Sequence, residues 1–262
     1  MRRTPRWVVN HPRDSVVAER SRSKGRLLHY EKGTIMERKR TIVYCDGYNL
    51  YNRLLRHTFS KWLDIDALAV ALLRPDHDII AIKYFTSRVR PHPYDQQAID
   101  RQKIYLQALA AQPRIEIIEG MYDKRKTWLP FAAEPCRSCP KMAPNNMGRV
   151  FKFEEKRTDV NLATNMLVDA ALDRTDCLVL ISGDSDFVAA VEAARRVFRK
   201  TVIVFNPSDT YSVQLNAAAN YYKHIPRDLP AMCQLPNVIP VGTHGRTIHR
   251  PEAWAASAPA QS

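Results

Sequence analysis

Short apolar runs recurring between amphipathic stretches set the reading of this chain. Thr41-Ile42-Val43-Tyr44-Cys45, Asp78 to Phe85, Arg114 to Gly120, Cys177-Leu178-Val179-Leu180-Ile181 and Thr201-Val202-Ile203-Val204-Phe205 have the length and the β-branched and aromatic content of strands. Helical patterns separate them: Tyr48 to His57, Asp64 to Leu73 with Asp64 as N-cap, a long helix opened by Pro93 and running to Ala111, Val160 to Leu172, and the stretch from Phe187 onward. Strand and helix alternating in this way predict an α/β fold. Right-handed crossovers then make a mainly parallel sheet the default.

The alternation fails in three places. Residues 1–40 show neither period and are rich in Arg and Ser, the composition of a disordered basic arm. Glu31-Lys32-Gly33, with largely purine codons, stands just before Met36 and resembles a ribosome-binding site read through in frame, so residues 1–35 are expected to be dispensable. A nucleic-acid-touching arm is the other reading. Residues 123–150 carry prolines, two cysteines and paired asparagines and read as an insertion or hairpin arm, with Val150-Phe151-Lys152-Phe153 as an added strand. Residues 227–262 are Pro-rich and irregular, an extended tail. One domain, 41–226, is left.

Charge narrows the partners. The chain has 262 residues and a net charge of +13, of which residues 1–35 supply +6, with nine Lys/Arg against Asp14, Glu19 and Glu31. The remaining +7 fits either a nucleic-acid surface or a merely solvated one. No stretch is long enough to span a membrane, and the Arg-rich N-terminus lacks an apolar core of signal-peptide type, so a cytoplasmic protein is expected. The five cysteines form no disulfide framework, and Cys45 and Cys177 fall inside strands. Cys136 and Cys139 have the spacing of half a zinc site, but no second pair follows, and free thiols are expected.

The chemistry lies at strand ends. Asp46 closes the first strand, Asp184 and Asp186 follow the Cys177 strand through Ser182-Gly183, and Asp159 precedes or caps the Val160 helix. In open α/β sheets this edge is where ligands bind. Aspartates gathered there suit Mg²⁺ or Mn²⁺, and such ions support in-line attack on phosphorus. Each aspartate alone is also explained as a helix N-cap. On the Val160 helix, Asn161, Asn165 and Asp169 form a polar stripe that either lines the approach to the metal or faces solvent. Lys156 and Arg157 are placed to hold a phosphate backbone. Arg149 and Lys152 with Phe151, Phe153, Tyr122 and Trp128 mix charge and rings as base-stacking surfaces do, or the rings pack in a core.

Three blocks, Asp46-Gly47-Tyr48-Asn49-Leu50, Glu154-Glu155-Lys156-Arg157-Thr158-Asp159-Val160-Asn161-Leu162 and Ser182-Gly183-Asp184-Ser185-Asp186-Phe187, resemble the signature blocks of NYN domain proteins, the LabA-like branch of the PIN-like nuclease superfamily. The resemblance implies a Rossmann-like three-layer α/β/α sandwich. It implies metal-dependent RNA cleavage, with Asp46, Asp159, Asp184 and Asp186 as catalytic and metal-binding positions. Asn49, Lys156, Arg157, Asn161, Asn165 and Ser185 are the expected substrate-binding positions beside them. The family usually has Gly where Arg157 stands, and many members have Asp where Asn165 stands. An RNA-binding module without turnover and another phosphoryl-transfer enzyme are the competing readings. No Walker loop, Gly-x-Gly-x-x-Gly or nucleophile elbow accompanies the acids.

Overall fold

A computed structural model of the chain describes residues 28–31, 34–89, 95–130, 147–242 and 245–255. Two short strands, β1 (Leu28–Glu31) and β2 (Thr34–Glu37), pair as an antiparallel hairpin where the sequence shows no periodicity. The domain starts with β3 (Lys39–Asp46), followed by α1 (Gly47–Leu50), a π-helical turn (Tyr51–Leu55), α2 (Ile65–Leu72), β4 (His77–Thr86), α3 (Ala98–Ala110) and β5 (Ile115–Glu119). An arm of β6 (Met121–Pro130) and β7 (Met147–Lys156) interrupts the alternation, which resumes with α4 (Thr158–Ala171), β8 (Cys177–Ile181), a 3₁₀ turn (Ser185–Phe187), α5 (Val188–Arg196), β9 (Thr201–Asn206), α6 (Val213–Ala218) and β10 (Tyr221–His224). The C-terminal segment adds α7 (Leu229–Met232), the hairpin β11 (Val238–Val241) and β12 (Arg246–His249), and a 3₁₀ turn at Glu252–Trp254.

Six strands form one parallel sheet in the order β10-β9-β8-β3-β4-β5. The chain winds outward from β3 to one edge, returns to β8 beside β3, and winds to the other edge. This is the doubly wound order, whose direction reverses between β3 and β8 and leaves a crevice at their carboxyl ends. The central strands read as unbroken apolar runs because both faces are covered: every residue of β8 is buried, as is β3 from Thr41 onward. On one face Leu50, Leu54, Leu68, Tyr105 and Leu109 pack over Val43, Cys45 and Ile82. On the other, Leu162, Met166, Val191 and Leu215 pack over Ile42, Tyr44, Leu178 and Val204. The expected three-layer α/β/α sandwich is the observed one.

Local signals account for the boundaries. The carboxylate of Asp64 accepts from the N–H groups of Asp66 and Ala67 at 2.9 and 3.0 Å, the N-cap read from sequence. The helix expected over Tyr48 to His57 is α1 continued by the π-helical turn. The long helix begins at Ala98; Pro93 lies outside the described residues, as do Cys136 and Cys139. The inserted residues form a two-stranded arm over ten pairs, from Met121 opposite Lys156 to Pro130 opposite Met147.

The tail expected to be extended and irregular is built into the fold. Trp62 donates its indole N–H to the Pro236 carbonyl at 2.9 Å, and Leu235 N–H returns to the Trp62 carbonyl at 2.9 Å. Leu229, Ile239, Ile248 and Trp254 pack on the core beneath α2 and α3. Apolar residues placed singly between prolines carry no helix or strand period, so their partner, the loop around Trp62, is not legible along the sequence. Among the described residues no helix is long and apolar enough to cross a membrane.

Candidate functional site

The site is built where β3 and β8 end. Asp46 is the last residue of β3 and is only 4 % exposed. One carboxylate oxygen accepts from the Asn49 N–H at 2.9 Å, which caps α1, and the other accepts from the Ser182 hydroxyl at 3.0 Å. Ser182, fully buried just past β8, accepts in turn from the Asp184 N–H at 3.2 Å. The Asn49 side-chain oxygen accepts from Gly183 N–H at 3.1 Å, tying α1 to the same loop. Asp184 turns its carboxylate to the Asp186 N–H at 3.0 Å and so starts the 3₁₀ turn. Ser182 thus ties the Asp46 carboxylate to the backbone of Asp184 across the switch point.

Close packing fixes this edge. A methyl group on Gly47 would lie 2.5 Å from the Tyr84 ring, and one on Gly183 would lie 2.2 Å from the Asn206 side-chain oxygen. The Asn206 amide donates to the Thr210 carbonyl at 2.8 Å, and its oxygen accepts from Ser208 N–H at 2.8 Å, so that neighbour has little room to yield. A polar cleft of about 540 Å³ opens over Asp184, bounded by Asn49, Arg53, Ser185, Tyr211 and Gln214.

The remaining predicted positions are more dispersed. Ser185 and Asp186 are exposed on the 3₁₀ turn, which α4 packs against. Asp159 is exposed in the first turn of α4, one residue inside the helix and not before it. Lys156 and Arg157 are exposed at the end of β7 and at the α4 N-cap. Arg157 adopts φ 73°, ψ −16°, the left-handed region that favours glycine, which accounts for the glycine usual there in the resembling proteins. Among the described residues no three His, Cys, Asp or Glu side chains form a ready metal-holding group. Hydrogen bonds through Ser182 connect the Asp46 carboxylate to the Asp184 backbone, and the Asp184 carboxylate turns to the Asp186 N–H.

The polar stripe of α4 faces the sheet. Asp169 is 1 % exposed and accepts from the Tyr44 hydroxyl at 2.8 Å, the Lys83 ammonium at 2.6 Å and Arg174 at 3.0 Å. Lys83, buried on β4, also donates to the Asn165 side-chain oxygen at 3.0 Å, and Asn165 donates to the Asn161 carbonyl at 2.9 Å. Burial and the adjacent Asp169 carboxylate push the Tyr44 hydroxyl far above its usual range. Neither a solvated face nor a simple metal approach describes Asp169, which is the counter-ion of a buried lysine. Lys83 was masked in sequence by its place in an apolar run. Ser182 and Arg53 were missed as well; Ser182 had one signal, its place just before the acidic turn.

The inserted arm carries one exposed mixed face. Register pairs Lys126 with Phe151 and Trp128 with Arg149, so these four project to the same side of the ribbon. Trp128 and Phe151 are more than half exposed, and the Lys126 ammonium lies 5.6 Å from the Phe151 ring centre. Core packing of these two rings is thereby replaced by a surface role. On the other side of α1, a second cavity of about 370 Å³ is walled by Tyr48, Tyr51, Tyr84, Tyr105 and Trp254.

Residues 40–226 match the NYN domain family. The chain belongs to that family. The NYN match ends at Pro226, so α7 and the C-terminal hairpin lie beyond it. A curated relative, the 6-hydroxy-3-succinoylpyridine 3-monooxygenase HspA of Pseudomonas putida (strain DSM 28022 / S16), is 31% identical over 242 residues, covering 82% of this chain and 75% of the relative. A crystal structure of a protein of unknown function, VPA0982 from Vibrio parahaemolyticus RIMD 2210633, overlaps 73% of this chain and 95% of its own at TM-score 0.42 and 16% identity. Membership in the NYN family places the chain among the PIN-like nuclease folds.

Proposed function

We propose that this NYN domain protein is a metal-dependent ribonuclease whose reaction centre is the Asp46/Asp184 pair. The observation that carries the reading is the Ser182 bridge, which ties the Asp46 carboxylate to the Asp184 backbone at the switch point, beside a polar cleft that Asp184 lines. Two carboxylates fit Mg²⁺ or Mn²⁺, which usually bind through one or two protein carboxylates and complete their shell with water and substrate phosphate. Such an ion lowers the pKa of bound water and offsets charge on the phosphoryl group.

The chain's own groups do the rest. The Ser182 hydroxyl and Asn49 N–H hold the Asp46 carboxylate in one orientation, so no reorganisation is needed during the reaction. Asp186, exposed beside Asp184, is the group to orient the attacking water and take its proton, and Asp159 supplies further negative potential from the α4 turn. Lys156 and Arg157 hold phosphates on the arm side, with Ser185 and Asn161 as polar contacts near the edge, while Asn165 is engaged with Lys83 and the Asn161 carbonyl. The exposed Lys126, Trp128, Arg149 and Phe151 face suits a single strand of RNA running along the arm, because stacking and charge together tolerate any sequence.

The test is incubation of purified protein with RNA in Mn²⁺, Mg²⁺ or chelator, alongside Asp184→Asn. Cleavage that needs the ion and falls by orders of magnitude in the variant, with an unchanged circular dichroism spectrum, supports the reading. Equal cleavage by the variant would refute it. Hydroxylation of a small nitrogen heteroaromatic is a second reading, favoured by the activity for which the relative is named and by the aromatic cavity. Oxygen uptake with 6-hydroxy-3-succinoylpyridine and a nicotinamide or flavin reductant tests it directly.

A further inference from the structure

The helical segment Gly47–Leu55 stands between two recesses. Asn49 and Arg53 face the polar cleft over Asp184, whereas Tyr48, Tyr51 and Leu55 face the aromatic cavity. Gly47, which lines that cavity, is bonded directly to Asp46, so the rim of the cavity begins one Cα step, about 3.8 Å, from the Asp46 backbone. A phosphate held at the pair therefore has the cavity within reach of its own nucleotide.

The cavity is made for one flat ring system. Its volume of about 370 Å³ excludes a duplex and accommodates a single heterocycle. Trp254 forms the back wall, its ring 5.9 Å from that of Tyr105 and 6.3 Å from that of Trp62. Tyr48 and Tyr51, 55% and 39% exposed, are the solvent-accessible rings of the lining. Thr86 and Ser87, both nearly buried, add hydroxyls at the strand end. The Gln102 side chain is pinned between Ser87 and Val89 backbone groups at 2.8 and 2.9 Å, so the floor is rigid. Arg101 pairs with Asp95, so Lys61 is left to give the lining one positive charge, which suits a nucleotide's phosphate. Ala253 and Trp254 come from the C-terminal segment, beyond the family match.

We infer that this cavity seats one unpaired nucleobase of the strand being cut, turned out beside the scissile phosphate, and so restricts the enzyme to single-stranded RNA. This rests on the ribonuclease reading. Aromatic walls bind any base face, and a base still paired in a helix cannot enter.

Binding is measured by fluorescence anisotropy on the non-cleaving Asp184→Asn protein with Mg²⁺, using a short labelled single-stranded RNA, the same RNA with abasic nucleotides, and a blunt duplex. Tyr51→Ala, at an exposed position, should weaken single-strand binding by about 5- to 100-fold, the range of one lost stacking contact. Tyr51→Phe should bind as the parent does, and the abasic RNA should be weak for all proteins and insensitive to the substitution. Single-strand binding unchanged by Tyr51→Ala, or abasic RNA binding as tightly as the parent RNA, would overturn the inference while leaving the ribonuclease reading intact. A parent protein that binds no RNA would overturn both.

Discussion

Removing one buried hydroxyl, in Ser182→Ala, tests whether the yoke between the strands matters. Ser182 is fully buried, donates to a carboxylate and accepts from a backbone N–H. The bond to Asp46 is charge-assisted, a class that contributes about 1.5–3 kcal/mol. The Asp184 N–H loses its acceptor too, but it is only partly buried and water replaces some of that bond, adding up to about 1 kcal/mol. The sum is a loss of about 1.5–4 kcal/mol, read by equilibrium urea unfolding followed by circular dichroism. Ser185→Ala, exposed on the adjacent turn, should move stability by less than about 0.5 kcal/mol. An Asp46 carboxylate no longer held in place should also raise the metal concentration needed for cleavage by about 10- to 100-fold, the usual cost of removing a group that orients a metal ligand. A Ser182→Ala protein as stable as the parent, with unchanged metal dependence, would show that the bridge neither supports the fold nor positions the acid.

Arg157→Gly should stabilise the protein by about 0.5–1 kcal/mol in the same assay, since glycine removes the left-handed strain at some cost in unfolded-chain entropy; a loss of stability would mean that the Arg157 side chain supports the turn. Lys83→Met should cost about 3 kcal/mol, near the lower end for breaking a buried pair because Tyr44 and Arg174 still serve Asp169, and Lys83→Met combined with Asp169→Asn should recover part of the loss; no recovery would refute the pairing. Burial, aided by Lys39 and Arg74 and opposed by Asp76, lowers the His77 pKa below its ordinary value. The unfolded chain then takes the proton first, so stability is full above the ordinary histidine range, near pH 6.5, and falls as pH drops through it. His77→Gln should flatten denaturation midpoints between about pH 7.5 and 5.5; an equally steep variant would refute that assignment.

The sequence by itself determined the sheet. Apolar runs such as Cys177 to Ile181 are long enough to be buried on both faces, and each strand reports its own environment through its residues. It also determined which acids stand at strand ends, since Asp46 follows its run directly and Asp184 follows its own after Ser182-Gly183. Only the tertiary structure decided which of those positions become neighbours. Asp46 and Asp184 lie 138 positions apart and are neighbours because β8 docks on β3, a pairing that no local period encodes. Asp159, as good an acid by sequence, sits in a helical turn whose distance from β3 is set by packing of Leu162 and Met166. Lys83 reads as part of a strand and Asp169 as part of a polar stripe, and their pairing needs α4 laid across β4. The aromatic cavity is the extreme case: Tyr48, Tyr105 and Trp254 come from three distant segments, and a wall assembled across a fold leaves no pattern along the chain.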